Sequence, residues 1–98
     1  MNTFVYCIYG VKIPQNYVKY VIDKLDGTDY TLTSYQCGAR ELSYFIELYN
    51  AEIRVEPNPK CYKVFTAPSQ EEIDAFVKFL EKQNIDYPYS NYMVIDQY

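Results

Sequence analysis

The sequence predicts an α+β domain: a two-layer sandwich with two helices on one face of a mostly antiparallel sheet, in a βαββαβ-like, ferredoxin-like order with extra β structure between residues 29 and 50. Three observations carry this expectation. Apolar residues recur at helical spacing in two windows, 15–25 and 70–83. Runs rich in β-branched and aromatic residues fill most of the rest, and Pro, Gly and Asn clusters separate them. The chain has 98 residues, enough for one hydrophobic core, so 1–98 reads as a single domain.

Residues 3–12 are apolar on both alternating sides, with Phe4, Tyr6 and Ile8 on one and Val5, Cys7, Tyr9 and Val11 on the other. That pattern predicts a central strand. Pro14 ends it, lacking the N–H a ladder needs while fitting the first turn of a helix. In residues 15–25, Tyr17, Val18, Val21, Ile22 and Leu25 share one helical face and Lys19, Asp23 and Lys24 lie away from it. Lys24 suits the negative end of that helix, and Asp26-Gly27 supplies its stop.

Residues 30–36 read as a polar or edge strand. For residues 42–49, strand alternation groups Leu42, Tyr44, Ile46 and Leu48, while helical spacing groups Leu42, Phe45, Ile46 and Tyr49; strand is preferred. Residues 51–56 and 61–66 flank Pro57-Asn58-Pro59-Lys60 and predict a β-hairpin. Ser69 with Glu72 forms a capping-box signature, after which Ile73, Phe76, Val77 and Leu80 define a helix over 70–83. Asn84 is its expected left-handed stop, and Ile85 returns to the core. Tyr87-Pro88-Tyr89 reads as a loop with aromatic tips, and residues 92–95 as a closing strand.

With both helices on one face, the other needs cover. Side chains, a partner, a second copy or the 29–50 segment are the alternatives.

The residues narrow the function more by exclusion than by motif. There is no histidine, so triads and imidazole ligands are out, although Glu, Asp, Lys, Tyr and Cys keep catalysis open. Cys7, Cys37 and Cys61 stand thirty and twenty-four residues apart, without a C-x-x-C pair, so neither a metal nor a cofactor is expected. Their odd number, and the absence of a signal segment or a long apolar run, points to the reducing cytoplasm. Cys37 before Arg40 is the single hint of a reactive thiol, and it needs a helix starting near Leu42. The three glycines are isolated, so no phosphate-binding loop exists.

Nine basic against thirteen acidic side chains leave a formal charge of −4, which disfavours binding to nucleic-acid phosphates. The element order is also that of the RNA-recognition motif, with Tyr6 on the first strand as in that module. The glycine-containing consensus of that module is missing, however. Mimicry of DNA is disfavoured because the carboxylates alternate with lysines. Residues with AT-rich codons (Phe, Tyr, Met, Ile, Asn, Lys) number 41 against 14 with GC-rich ones (Gly, Ala, Arg, Pro), as in low-GC bacteria and their phages.

Thirteen tyrosines are the remaining distinction. Tyrosine gives large, rigid contact area with a polar tip, which suits recognition surfaces. The expected function is therefore a small protein-interaction module, an inhibitor or adaptor of phage or mobile-element origin, acting on another protein or on itself. The alternative is a small-ligand or nucleotide-binding protein that stacks tyrosine on its ligand. Expected contact residues are Tyr87, Tyr89 and Tyr92, with Arg40 and Arg54 as polar anchors.

Overall fold

The computed structural model describes residues 3–36, 42–55 and 67–97. It is a four-stranded antiparallel sheet with two helices. The strands are β1 (Thr3–Ile13), β2 (Leu32–Gln36), β3 (Leu42–Val55) and β4 (Tyr89–Gln97), and the helices are α1 (Val18–Leu25) and α2 (Gln70–Lys82). Their order in the sheet, β2-β3-β1-β4, interleaves two split βαβ units and puts β1, the strand apolar on both sides, in the interior.

Residues 42–49 are strand, as alternation predicts, and continue without a break through 51–55, so two expected strands are one of fourteen residues. Among the described residues, the β structure between residues 29 and 50 consists of β2 and the first part of β3. The segment also helps to cover the face away from the helices: Tyr35 of β2 packs on Tyr6 of β1 at 4.6 Å and is buried with Ile8, Phe45 and Val94. The hairpin turn 57–60 and its second arm 61–66 lie outside the described residues, as do Cys37 and Arg40. With Leu42 beginning a strand, the helix N-terminus invoked for a reactive Cys37 does not exist.

The β1–β3 register shifts between Tyr9 and Gly10, where β3 carries an extra residue at Leu48. On both sides of this bulge the helix-facing set of β1 is Val5, Cys7, Tyr9, Val11 and Ile13. Both helices pack here, in a core of Val11, Ile13, Val21, Leu25, Ile46, Phe76, Leu80 and Ile85. On the opposite face Ile8, Tyr35, Phe45 and Val94 form a second buried cluster, with Tyr6 and Tyr92 against it. Neighbouring rings stand 4.6 Å apart for Tyr6 and Tyr35, 5.9 Å for Tyr35 and Phe45, and 5.2 Å for Phe45 and Tyr92. Burial of Tyr35 and Phe45 removes the flat exposed stacking platform an RNA-recognition motif would need.

Among the described residues, no helix is long and apolar enough to cross a membrane.

Candidate functional site

Two chain reversals shape a concave feature of the helical layer. At the first, Pro14 holds an extended conformation and a 3-10 turn, Gln15–Tyr17, precedes α1, with Tyr17 N–H bonded to the Pro14 carbonyl at 3.0 Å. The tighter winding of that turn offsets Tyr17 from the apolar stripe of α1. Tyr17 is 46% exposed, contrary to its expected place on the buried face, and Ile22 is 52% exposed on the flank of the helix.

At the second, Asn84 takes φ 57° after α2, and Ile85 N–H reaches the Leu80 carbonyl at 2.9 Å. This is the hydrogen-bond pattern of a Schellman stop, in which asparagine replaces glycine at modest strain. It turns Ile85 into the core and leaves Asp86 and Tyr87 beside α1.

Between the two reversals lies a cleft of about 580 Å³. Buried Val21 and Ile85 form its apolar base, and Tyr17, Tyr20 and Tyr87 its aromatic walls. Tyr17 and Tyr87 meet edge to face at 5.7 Å, and the Tyr20 hydroxyl reaches the Gln83 carbonyl at 3.5 Å. Desolvation, then the neighbouring Tyr17 and the Asp86 carboxylate, raise the Tyr87 hydroxyl above the usual tyrosine pKa. Among the described residues lining the cleft, Asp86 is the single charged one, with Asn16 and Asn84 adding neutral amides. The Lys24 ammonium stands 5.4 Å from the Tyr20 ring centre, so that ring already takes a cation over its face.

The expected contact residues do not form one surface. Tyr87 belongs to the cleft. Tyr89 starts β4 on the helical face, its ring 6.0 Å from Phe76 and its hydroxyl buried without a partner among the described residues. Tyr92 points to the opposite face, against Phe45. Arg54 stands opposite Phe4 in the β1–β3 ladder. Tyr17 and Tyr20, which wall the cleft, are not among the expected contact residues. Tyr20 lay off the apolar stripe of a helix, which marks an exposed ring; Tyr17 gave no such signal, because only the 3-10 turn displaces it.

A second apolar feature lies at the far end of the helical face. Met93 is 75% exposed and Ile95 is 52% exposed, opposite half-buried Cys7 and Val5 on β1. The Cys7 thiol donates to the Asn91 side-chain Oδ1 at 3.3 Å. Among the described residues no cluster of three acidic or cysteine side chains could hold a metal ion. Comparison with protein-family models, curated proteins and solved structures gave no match.

Proposed function

We propose that the chain is a small protein-interaction module, of the inhibitor or adaptor kind, whose docking site is the cleft walled by Tyr17, Tyr20 and Tyr87. The observation that carries this reading is the pairing of exposed tyrosine rings with one carboxylate, Asp86, and with no cationic lining residue among those described. Aromatic faces and a carboxylate together favour a cation, so the partner segment presents a lysine or arginine to this cleft. The formal charge of −4 favours the same choice at longer range.

A second reading, a small-ligand site, is supported by the volume of the cleft, which lies within the roughly 300–1,000 Å³ common for ligand pockets. The same charge argument restricts that ligand to a cation or a neutral ring. Phosphate-bearing nucleotides are disfavoured.

The test is affinity capture from cells of the native host, comparing the wild-type chain with a Tyr17→Ala/Tyr20→Ala variant. Both rings are largely at the surface, so the variant keeps its circular dichroism spectrum. A stoichiometric protein retained by the wild type and lost by the variant supports docking through the cleft. Equal retention by both removes the cleft from the reading, and a bound chromophore in place of a protein favours the small ligand.

A further inference from the structure

We propose that the cation received by the Tyr17, Tyr20 and Tyr87 cleft is a quaternary ammonium, carried into it on the side chain of a trimethylated lysine of the partner. This inference rests on the reading of the cleft as a docking site and narrows the chemistry of its occupant.

The walls come first. Tyr17 and Tyr87 meet with their planes at 70°, so the two rings form a corner rather than a stack. Tyr20, three residues beyond Tyr17, supplies a third ring to the same cavity. Its hydroxyl is directed at the Gln83 carbonyl, which does not line the cleft, so the ring is what Tyr20 offers to an occupant.

The base and the rim then decide between cations. Val21 and Ile85 at the base are 1% and 4% exposed, and neither side chain can accept a hydrogen bond. Asp86, Asn16 and Asn84 are exposed, so the polar groups belong to the rim. A cation that reaches the base therefore sheds water without meeting acceptors there. A lysine ammonium brings three donors and an arginine guanidinium five, and each donor left unpaired is a cost. A quaternary ammonium has no N–H to satisfy. Its methyl groups pack on Val21 and Ile85, while the ring faces and the Asp86 carboxylate attract its charge, as in the aromatic cages that recognise such ions.

The volume favours a peptide as the carrier. At about 580 Å³ the cleft exceeds a trimethylammonium head group, leaving room for the methylene stem and the adjoining backbone. A free choline-like molecule would leave that space to water.

One charge opposes the occupant. The Lys24 ammonium stands 5.4 Å from the centre of the Tyr20 ring without lining the cleft, so it repels an incoming cation across that ring. Asp86 and Lys24 thus act with opposite sign on the same bound charge.

The test titrates the full chain with acetylated and amidated Gly-Ala-Lys-Ala-Gly peptides. Their central residue is trimethyllysine, lysine, arginine or the uncharged analogue with carbon in place of the ammonium nitrogen. Nuclear magnetic resonance follows the tyrosine ring signals and the N-methyl singlet. The trimethyllysine peptide is expected to bind about tenfold tighter than the other three, with its N-methyl signal moved upfield by the ring faces. Asp86→Asn should weaken that binding by about two- to fivefold, and Lys24→Gln should tighten it by a similar factor. A gain in affinity cannot arise from misfolding. Absence of binding at millimolar trimethyllysine peptide overturns the proposal. So does equal affinity for the lysine, arginine or uncharged peptide or for free choline, and so does a Lys24→Gln chain that binds no tighter. Capture of a host protein that depends on Tyr17 and Tyr20 would survive those results, leaving the docking reading in place with a different anchor. Selective binding of the trimethyllysine peptide by a chain that captures no host protein would uphold the cage while removing the docking reading.

Discussion

On the face of the sheet away from the helices, the Tyr35 hydroxyl donates to one carboxylate oxygen of Glu47. Asn50 Nδ2 donates to the other oxygen at 2.7 Å and lies 3.4 Å from the Tyr35 hydroxyl. In a regular strand Glu47 and Asn50, three residues apart, would point to opposite faces. The bulge at Leu48 resets the alternation, so both stand on the face of Ile8 and Gly10. The irregularity thus builds the polar network and fastens β2 to β3.

Replacing Tyr35 with Phe should destabilise the fold by about 1–2 kcal/mol, because it removes a largely buried donor to a charged acceptor. Burial, then the bond to Glu47, raises the Tyr35 pKa above the ordinary value of 10.0. The folded state therefore holds a proton that the unfolded chain releases. That contribution is complete below pH 10 and is lost as pH rises above it. Urea denaturation at a series of alkaline pH values should show stability falling from about pH 10, with a shallower fall in Tyr35→Phe. An identical slope in both proteins would assign the alkaline loss to other groups.

Gly10 sits where the β1–β3 register shifts. A Cβ there would press into the Ile46 carbonyl oxygen, which is backbone and cannot swing aside. Gly10→Ala should cost more than about 2 kcal/mol, the scale of overpacking in a closed core. The thermal midpoint measures it, and Gly27→Ala provides the contrast. Gly27 has open space around it but φ 78°, so its cost comes from backbone strain alone and should be smaller, about 1 kcal/mol.

These two sites also mark where the sequence stopped being legible. The strand at 3–13, the α2 capping box and the stop at Asn84 rest on local signals, namely alternation, Ser69 with Glu72, and the tolerance of asparagine for positive φ. The bulge at Leu48 depends on pairing between distant segments, which no local period records. The placement of Tyr89 and Tyr92 on different faces was hidden for a related reason. Strand period sends residues 89 and 92 to opposite faces, and proximity in sequence then says nothing of a shared surface. Tyr17 escaped because a single 3-10 turn moved it out of the helical stripe.

At the start of α2, Ser69 Oγ accepts from Glu72 N–H at 3.2 Å while the Glu72 carboxylate accepts from Ser69 N–H at 3.3 Å. Ser69→Ala should cost about 1 kcal/mol. The bond from Tyr49, followed by those from Ser69, lowers the Glu72 pKa below 4.5. Its contribution is therefore present above pH 4.5 and is lost as pH falls below it. Acid titration followed by circular dichroism should show a smaller acid-dependent loss in Glu72→Gln, which cannot titrate. Tyr49→Phe should shift the same profile partway, since it removes the largest cause of the lowered pKa. An unchanged acid profile in both variants would show that this contact does not persist in solution.

Tyr89 allows a sharper test, because its two expected roles predict opposite results. Its hydroxyl is buried without a partner among the described residues, and desolvation raises its pKa above the usual tyrosine value. An unpaired buried hydroxyl is a cost to the folded state, so Tyr89→Phe should leave stability unchanged or raise it by up to about 1 kcal/mol. It should also leave capture of any partner intact. Tyr89→Ala removes the ring packed on Phe76 and should cost about 3–5 kcal/mol, a large share of the stability of a small domain. Loss of partner capture in that variant would accordingly reflect unfolding. Chemical denaturation of the three proteins measures this directly: destabilisation by Tyr89→Phe would mean that the hydroxyl has a hydrogen-bond partner in solution, and Tyr89 would then contribute more than its ring to the core.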